Sequence, residues 1–333
     1  MSSVLILSRR DEGVPLALEL KREGHIVRIF SSECSELFID EPNPSRITYP
    51  GKMLEQFDLI LSTTLSIQEM IEEWEKRVIG AGRLHVKLRD ESYLSSVRES
   101  LLPETVMTSE ESGFARVYIT GWMTVGGLLP TYLLTLPYTR LTEGERGPVM
   151  NAGTVHRLLE MNKLYEWVLK PLESLLKKVG LVGPISAHCF LSESACFVQM
   201  LSGQLQSSIL QGLHELYKPS LFSLFWALQS GERIELGSEE YSMCVTLSQS
   251  SGEQYDLQPH PDALSHVWVQ SQKGTSFLLG SVSARGVSIK ECRRRVKRTL
   301  DHLSPSQDVM FRNDIGEDAE ERFMWLKEAG WLT

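Results

Sequence analysis

Short apolar runs alternate with amphipathic stretches at the start of the chain. Val4 to Leu7 reads as a buried strand, and Pro15 to Glu23 as a helix with Leu16 and Leu20 one turn apart. Gly24 ends that helix, and His25 to Phe30 reads as a second strand. A polar loop holding Pro42, Pro44 and Pro50 leads to a third strand, Phe57 to Leu61. Ser66 to Arg77 reads as an acidic amphipathic helix, and Val78-Ile79 opens another strand. This alternation predicts an α/β unit, a parallel sheet with crossover helices, over about residues 1–85.

The pattern then changes. Asp90 to Leu102 predicts a helix that stops before Pro103, and Thr105 to Gly113 a polar linker. Two strands follow: Arg116 to Thr124 and, after a turn at Gly126-Gly127, Leu128 to Leu136. Thr142 to Pro148 reads as a polar loop. Asn162 to Val179 predicts one long amphipathic helix, kinked at Pro171 and capped by Gly180. Strands around Ile185 to Leu191 and Cys196 to Leu201 come next, then an apolar helical stretch, Ser208 to Ser230, that Pro219 interrupts. From Tyr241 strands dominate (Tyr241 to Leu247, His266 to Gln270, Ser276 to Val282) before a basic helix, Ser288 to Leu303.

Composition narrows the classes. At roughly 100–200 residues per domain, a chain of 333 residues holds two or three domains. With 42% hydrophobic and 23% charged residues it can bury an ordinary core. A net charge of −9 disfavours a broad nucleic-acid surface. The run Arg293 to Arg298 reads as a solvated helix face balanced by Glu317, Asp318, Glu320 and Glu321, so no nucleic-acid partner is expected. No apolar run approaches the roughly 20 residues that span a bilayer, and the N-terminus has no signal-peptide pattern. The 5 cysteines are scattered and form no C-x-x-C, which points to reduced thiols and a cytoplasmic protein. His188 and Cys189 are neighbours on an extended segment, so they should face opposite ways and serve packing rather than metal binding. The turn Ser8 to Gly13 carries no G-x-G-x-x-G, and neither a Walker A loop nor a G-x-S-x-G elbow occurs.

Several segments, in order, carry a resemblance. The N-terminal strand-turn-helix is followed by Val78-Ile79-Gly80 through Leu102-Pro103-Glu104-Thr105. Arg140-Leu141-Thr142-Glu143-Gly144-Glu145-Arg146-Gly147-Pro148 is similar to an "R-I-G-D-G-D-T-G-P" loop. Leu169-Lys170-Pro171-Leu172 leads to Val182-Gly183-Pro184-Ile185. Gly280-Ser281-Val282-Ser283-Ala284 opens the basic helix, which leads to Phe311-Arg312-Asn313-Asp314-Ile315-Gly316, where the counterpart reads "F-Y-R-R-D-I-G". The order resembles phosphoribosylamine–glycine ligase, an ATP-grasp enzyme family of purine biosynthesis. The resemblance implies a Rossmann-like N-terminal domain (1–85) and a helix and linker (86–113) where the family's ATP-lid subdomain is deleted. It further implies a truncated ATP-grasp-like α+β domain (114–235) and a small β-rich C-terminal domain (236–333).

Departures fall where the chemistry should be. Thr105 is followed almost at once by Phe114, so the lid that covers the ATP phosphates is missing. The family's "V-I-E-F-N-V-R-F-G-D-P-E" becomes Phe197-Val198-Gln199-Met200-Leu201-Ser202-Gly203-Gln204, which puts Gln199 and Leu201 at the magnesium-ligand positions. The family's "G-G-R-E" turn becomes Arg10-Asp11-Glu12-Gly13, and its "G-P-N-T-G-G-M-G" becomes Gly147 to Gly153.

Three expectations follow. The first is a degenerate, non-catalytic relative with no cofactor, binding a phosphoribosyl, nucleotide or other small anionic ligand through Arg9, Arg10, Arg140, Glu143, Glu145, Arg146 and Asn151. The second is an active ATP-dependent carboxylate–amine ligase using ATP and Mg²⁺. The third is an interaction or assembly module, self-associating or bound to another protein. It would expose an apolar face around Trp122, Leu128, Leu129, Tyr132 and Leu133.

Overall fold

A computed structural model describes residues 1–9, 12–31, 45–47, 51–63, 78–80, 92–93, 95–97, 115–142, 146–217, 220–232, 241–249, 261–270, 278–303 and 309–333. The N-terminal part is a parallel sheet of β1 (Ser3–Ser8), β2 (Ile26–Ser31), β3 (Ser45–Ile47), β4 (Leu59–Ser62) and β5 (Val78–Gly80), in the order β3-β2-β1-β4-β5. β1 is central because both of its faces are apolar: Val4, Leu5, Ile6 and Leu7 are all fully buried. α1 (Val14–Arg22) follows β1, with Pro15 pre-set for the first helical turn and Gly24 taking the positive φ that ends it. β3 falls inside the stretch read as a polar loop. The predicted helix at Ser66 to Arg77, and most of the one at Asp90 to Leu102, lie outside the described residues, as does the linker at Thr105 to Gly113. Residues 92–93 and 95–97 are helical.

The rest of the described chain builds one antiparallel sheet. Its strands are β6 (Ala115–Thr124), β7 (Gly127–Leu128), β8 (Tyr132–Thr142), β9 (Arg146–Leu159), β10 (Gly183–Leu191), β11 (Cys196–Ser202), β12 (Tyr241–Gln249), β13 (Val267–Val269), β14 (Leu278–Gly286) and β15 (Val309–Met310). The path is β11-β10-β6-β8-β9-β12-β14-β13, with β7 on β6 and β15 on β12. The segment read as a polar loop at Thr142 to Pro148 is instead the tip of a long hairpin, with Thr142 already paired to Arg146. The second strand predicted at Leu128 to Leu136 divides. Leu128 closes a small turn against Met123, and the main strand starts at Tyr132.

Paired residues across an antiparallel ladder share a face, so the register sorts the side chains. Ile119, Ala187, Leu134, Leu136, Val155, Met243, Ala284 and Val282 make one face. It is apolar and packs α5 (Ile289–Leu303), α6 (Ala319–Glu328) and the helical stretch after β9. That stretch is not a simply kinked helix. It runs as a π turn (Tyr165–Leu169), a 3₁₀ turn (Lys170–Leu172) and α2 (Glu173–Lys178). Pro171 has no N–H for the i−4 carbonyl, and the wide and tight turns absorb the missing bond. α6 occupies the segment read as an acidic tail, and one balancing pair is present, Arg293 to Glu317 at 2.6 Å.

The opposite face carries Thr120, Ser186, Thr135, His156, Thr154, Ser242, Cys244 and Ser283. α3 (Ser207–Leu216) and α4 (Leu221–Ser230) lie between this face and the parallel sheet, in a shared core that joins Ile6, Leu16 and Leu20 to Leu210, Leu213, Phe225 and Trp268. The break between α3 and α4 agrees with Pro219, which itself lies outside the described residues. Glu23 at the end of α1 accepts the Leu221 and Phe222 N–H groups at 2.7 and 3.1 Å, so the first unit caps a helix of the second. Trp122, Tyr132 and Leu133 are fully buried and Leu128 and Leu129 partly so, which removes the exposed apolar face expected there. The N-terminal unit, α3 and α4 cover Trp122, Leu129 and Leu133, while Tyr132 and Leu128 pack on the other face with the helical stretch after β9. His188 stacks on Tyr118 while Cys189 faces the apolar core, the opposed arrangement expected of neighbours on a strand. Among the described residues no helix is long and apolar enough to cross a membrane.

Candidate ligand site

In an open parallel sheet, ligands settle beyond the carboxyl ends of the strands where the strand order reverses. Here that point lies between β1 and β4, beyond Ser8 and Ser62. The turn after β1 is closed by its own side chains. The Arg9 N–H donates to Glu12 Oε1 at 2.7 Å, and the Gly13 N–H to Ser8 Oγ at 3.1 Å.

The second wall comes from the segment that links β11 to α3. Gln204 Nε2 donates to the Thr63 carbonyl at 2.8 Å, and Ser207 Oγ to the Glu12 carbonyl at 3.3 Å. Asn151 Nδ2, from β9, reaches Ser208 Oγ at 3.1 Å, while Thr246 Oγ1 holds the Asn151 carbonyl at 2.5 Å. Three distant parts of the chain thus meet at the start of α3, which has no side-chain cap.

A buried polar layer fixes the position of α3. Gln211 Oε1 accepts from Ser281 Oγ at 2.5 Å and from Cys244 Sγ at 3.0 Å. Glu215 Oε1 accepts from Ser283 Oγ at 2.6 Å and pairs with His266 Nδ1 at 2.8 Å. That carboxylate raises the pKa of His266. Ser242 Oγ donates to the Gly212 carbonyl at 2.9 Å. Gly212 is required by close approach, since a Cβ there would stand 2.5 Å from His156 Nε2. His156 lies between Thr135 Oγ1 (2.8 Å) and Thr154 Oγ1 (2.7 Å). Full burial lowers its pKa to about 3, so the ring is neutral. Burial also pushes the Cys244 thiol up to about 12, which leaves it a packing group rather than a nucleophile.

The tip of the β8–β9 hairpin is held from the C-terminus. Arg312, buried to 4% exposure, pairs with Asp314, donates to the Arg140 carbonyl at 3.1 Å and lies over the Tyr138 ring. Tyr138 Oη donates to Asp318 at 2.5 Å. Ile315 fills the space over Gly153.

Of the residues singled out from sequence, Arg9 lies in the turn after β1, and Asn151 meets the start of α3 through Ser208. Arg140 lies in β8 opposite Val149, with its carbonyl tied to Arg312. Arg146 opens β9, though its side chain lies outside the described residues, and so do Arg10, Glu143 and Glu145. Thr63, Gln204, Ser207 and Ser208 were missed. The polar run Ser202-Gly203-Gln204 followed by a serine pair at a helix start was the available signal.

The positions that the resemblance assigns to magnesium ligands lie on β11. Between the pairs His188 with Met200 and Cys189 with Val198 the register slips, leaving Gln199 as the extra residue of a bulge, exposed. Leu201 is fully buried on the apolar face, opposite the side that carries α3. It offers no oxygen, so these positions do not fit a magnesium site.

The chain was compared with known proteins. A phosphoribosylamine–glycine ligase from Thermotoga maritima superposes with a TM-score of 0.69 over 94% of this chain and 99% of that one, at 13% identity. The fold is that of the ATP-grasp ligases. Other ATP-grasp neighbours include an L-amino acid ligase from Bacillus licheniformis (TM-score 0.60, 10% identity, 91% and 98% covered). An N5-carboxyaminoimidazole ribonucleotide synthetase from Thermus thermophilus is similar too (TM-score 0.58, 13% identity, 91% and 99% covered). No protein-family model and no curated protein sequence matches the chain.

Proposed function

We propose that this ATP-grasp-fold chain is a non-catalytic relative of phosphoribosylamine–glycine ligase that binds a small anionic ligand, phosphoribosyl or nucleotide in character, between β1, β4 and the start of α3. The observation that carries the reading is Leu201, locked in the apolar core at a position where the resemblance asks for a magnesium ligand. The stretch 98–114 supports it, because it contains one glycine and no lysine. So short a stretch is also a poor basis for a lid, since a sheet needs three or more strands of about 5–6 residues to stand alone. Phosphoryl transfer depends on positioning and charge cover, and Gln199 and Leu201, at the positions the resemblance assigns to magnesium, supply no carboxylate.

What remains suits binding. The first turn of α3, which has no side-chain cap, favours negative charge, and Asn151, Ser207 and Ser208 stand beside it. The buried thiols of Cys189, Cys196, Cys244 and Cys292, none of them in a disulfide, support a cytoplasmic setting. Neither a nucleic acid nor a membrane is a partner in this reading.

Incubation with ATP, Mg²⁺, phosphoribosylamine and glycine tests the absence of catalysis. The expected result is no ADP above the enzyme-free rate at high protein concentration, and stoichiometric ADP refutes it. Calorimetry with ribose 5-phosphate and AMP tests binding. A saturable isotherm that Asn151→Ala weakens is expected, and flat isotherms for both ligands from folded protein refute the site.

A further inference from the structure

A cavity of about 370 Å³ opens on the apolar side of the ten-stranded sheet, the side away from α3. Its walls are Arg157 from β9, Tyr241 from β12, the β14–α5 junction, and α6. The Arg157 guanidinium lies over the Tyr241 ring, 5.3 Å from its centroid. Its Nε is shut off from water with no hydrogen-bond partner among the described residues. No carboxylate among those residues pairs with Arg157 or with Lys327, the second cation of the cavity. One acid, Glu320, stands against the two cations. A half-buried guanidinium without a counter-charge is costly, and a bound anion would relieve it.

The remaining lining is apolar. Phe323 is buried edge-on to Tyr241, with centroids 5.4 Å apart. Met324 and Val287 are 58% and 73% exposed beside it. The helix end at this junction is satisfied without a ligand. The Val287 N–H donates to Glu291 Oε2 at 3.1 Å, and the Glu291 N–H to Ser288 Oγ at 3.2 Å. The volume sits at the lower end of small-molecule pockets, roughly 300–1,000 Å³.

We propose that this cavity binds a small monocarboxylate with an apolar body, the carboxylate between Arg157 and Lys327 and the body against Phe323 and Met324. A planar carboxylate matches one guanidinium fork, whereas a phosphate dianion would leave charge facing Glu320 and the apolar wall. The inference is independent of the crevice at β1 and β4.

Calorimetry on the full chain with phenylacetate tests it. Benzyl alcohol supplies the body without the charge, and inorganic phosphate the charge without the body. Phenylacetate should saturate and bind at least tenfold tighter than either. Arg157→Gln should weaken it at least tenfold and Lys327→Glu severalfold, with far-ultraviolet circular dichroism unchanged. Because Arg157 packs on Tyr241, its variant can fail to fold, and the surface change Lys327→Glu then decides. The proposal is overturned by non-saturable phenylacetate binding, by phosphate binding as tightly, or by undiminished affinity in the folded variants.

Discussion

Gly153→Ala tests whether the β8–β9 hairpin is locked to the C-terminal turn. A Cβ at this position would overlap Ile315 Cδ1 and stand 2.8 Å from the Cys244 carbonyl oxygen. The isoleucine tip can rotate, but the carbonyl belongs to β12 and is fixed by its ladder. Overpacking a filled core costs about 1–3 kcal/mol, and backbone involvement puts this case near the top. Loss of glycine's freedom in the unfolded chain returns about 0.4–1 kcal/mol. The net destabilisation is therefore about 2 kcal/mol. With a urea m-value near 3 kcal/mol/M, the midpoint falls by about 0.7 M. Unfolding should be followed by tryptophan fluorescence and far-ultraviolet circular dichroism together, since coincident curves justify a single free energy. Ile315→Val removes the clashing methyl and by itself costs about 1 kcal/mol. The double variant should then cost clearly less than the sum of the two. A neutral Gly153→Ala, or strict additivity, would refute the lock.

Three further outcomes are expected. His156 should resist protonation. Its folded pKa is lowered to about 3 from 6.5, so the unfolded chain binds the extra proton below 6.5 and stability falls as pH drops through that window. By pH 4.5 this amounts to roughly 2–3 kcal/mol. A histidine-selective NMR titration in which this ring titrates near 6.5 would remove the basis for it. Glu23→Gln keeps the shape but weakens the cap on α4, and should cost about 1 kcal/mol in urea unfolding at low salt; no loss means that cap is not formed. Leu201→Asn places an amide in the apolar core and should destabilise by about 2–4 kcal/mol. The pair Gln199→Glu and Leu201→Asn should still show no Mg²⁺ binding by calorimetry, and a saturable isotherm would contradict the core position of residue 201.

The parallel unit was legible because its strands are buried on both faces, so Val4 to Leu7 and Leu59 to Leu61 read as unbroken apolar runs. β9 was not legible. Thr154 and His156 are polar because they face the buried polar layer under α3, whereas Arg157 and Gly153 belong to the other face, and the mixture reads as a loop. β3 was hidden by the prolines flanking Ser45–Ile47, and α6 by acidic residues that favour a helix start as readily as a solvated tail. Arg9 and Asn151 came from the resemblance, but Thr63, Gln204, Ser207 and Ser208 belong to no motif. They are brought together only by the polar layer that orients α3.

The long sheet also has consequences for the newly made chain. β9 bonds β8 on one side and β12 on the other, and β12 begins only at Tyr241. During synthesis the hairpin of β8 and β9 forms early, while the outer edge of β9 from Gly153 to Arg157 waits for its neighbour. An unpaired strand edge invites pairing with other chains, and non-local strand pairing is slow. That interval is the vulnerable one: truncation between residues 160 and 240 should yield aggregating fragments, whereas chains that reach Gln249 should be progressively more soluble.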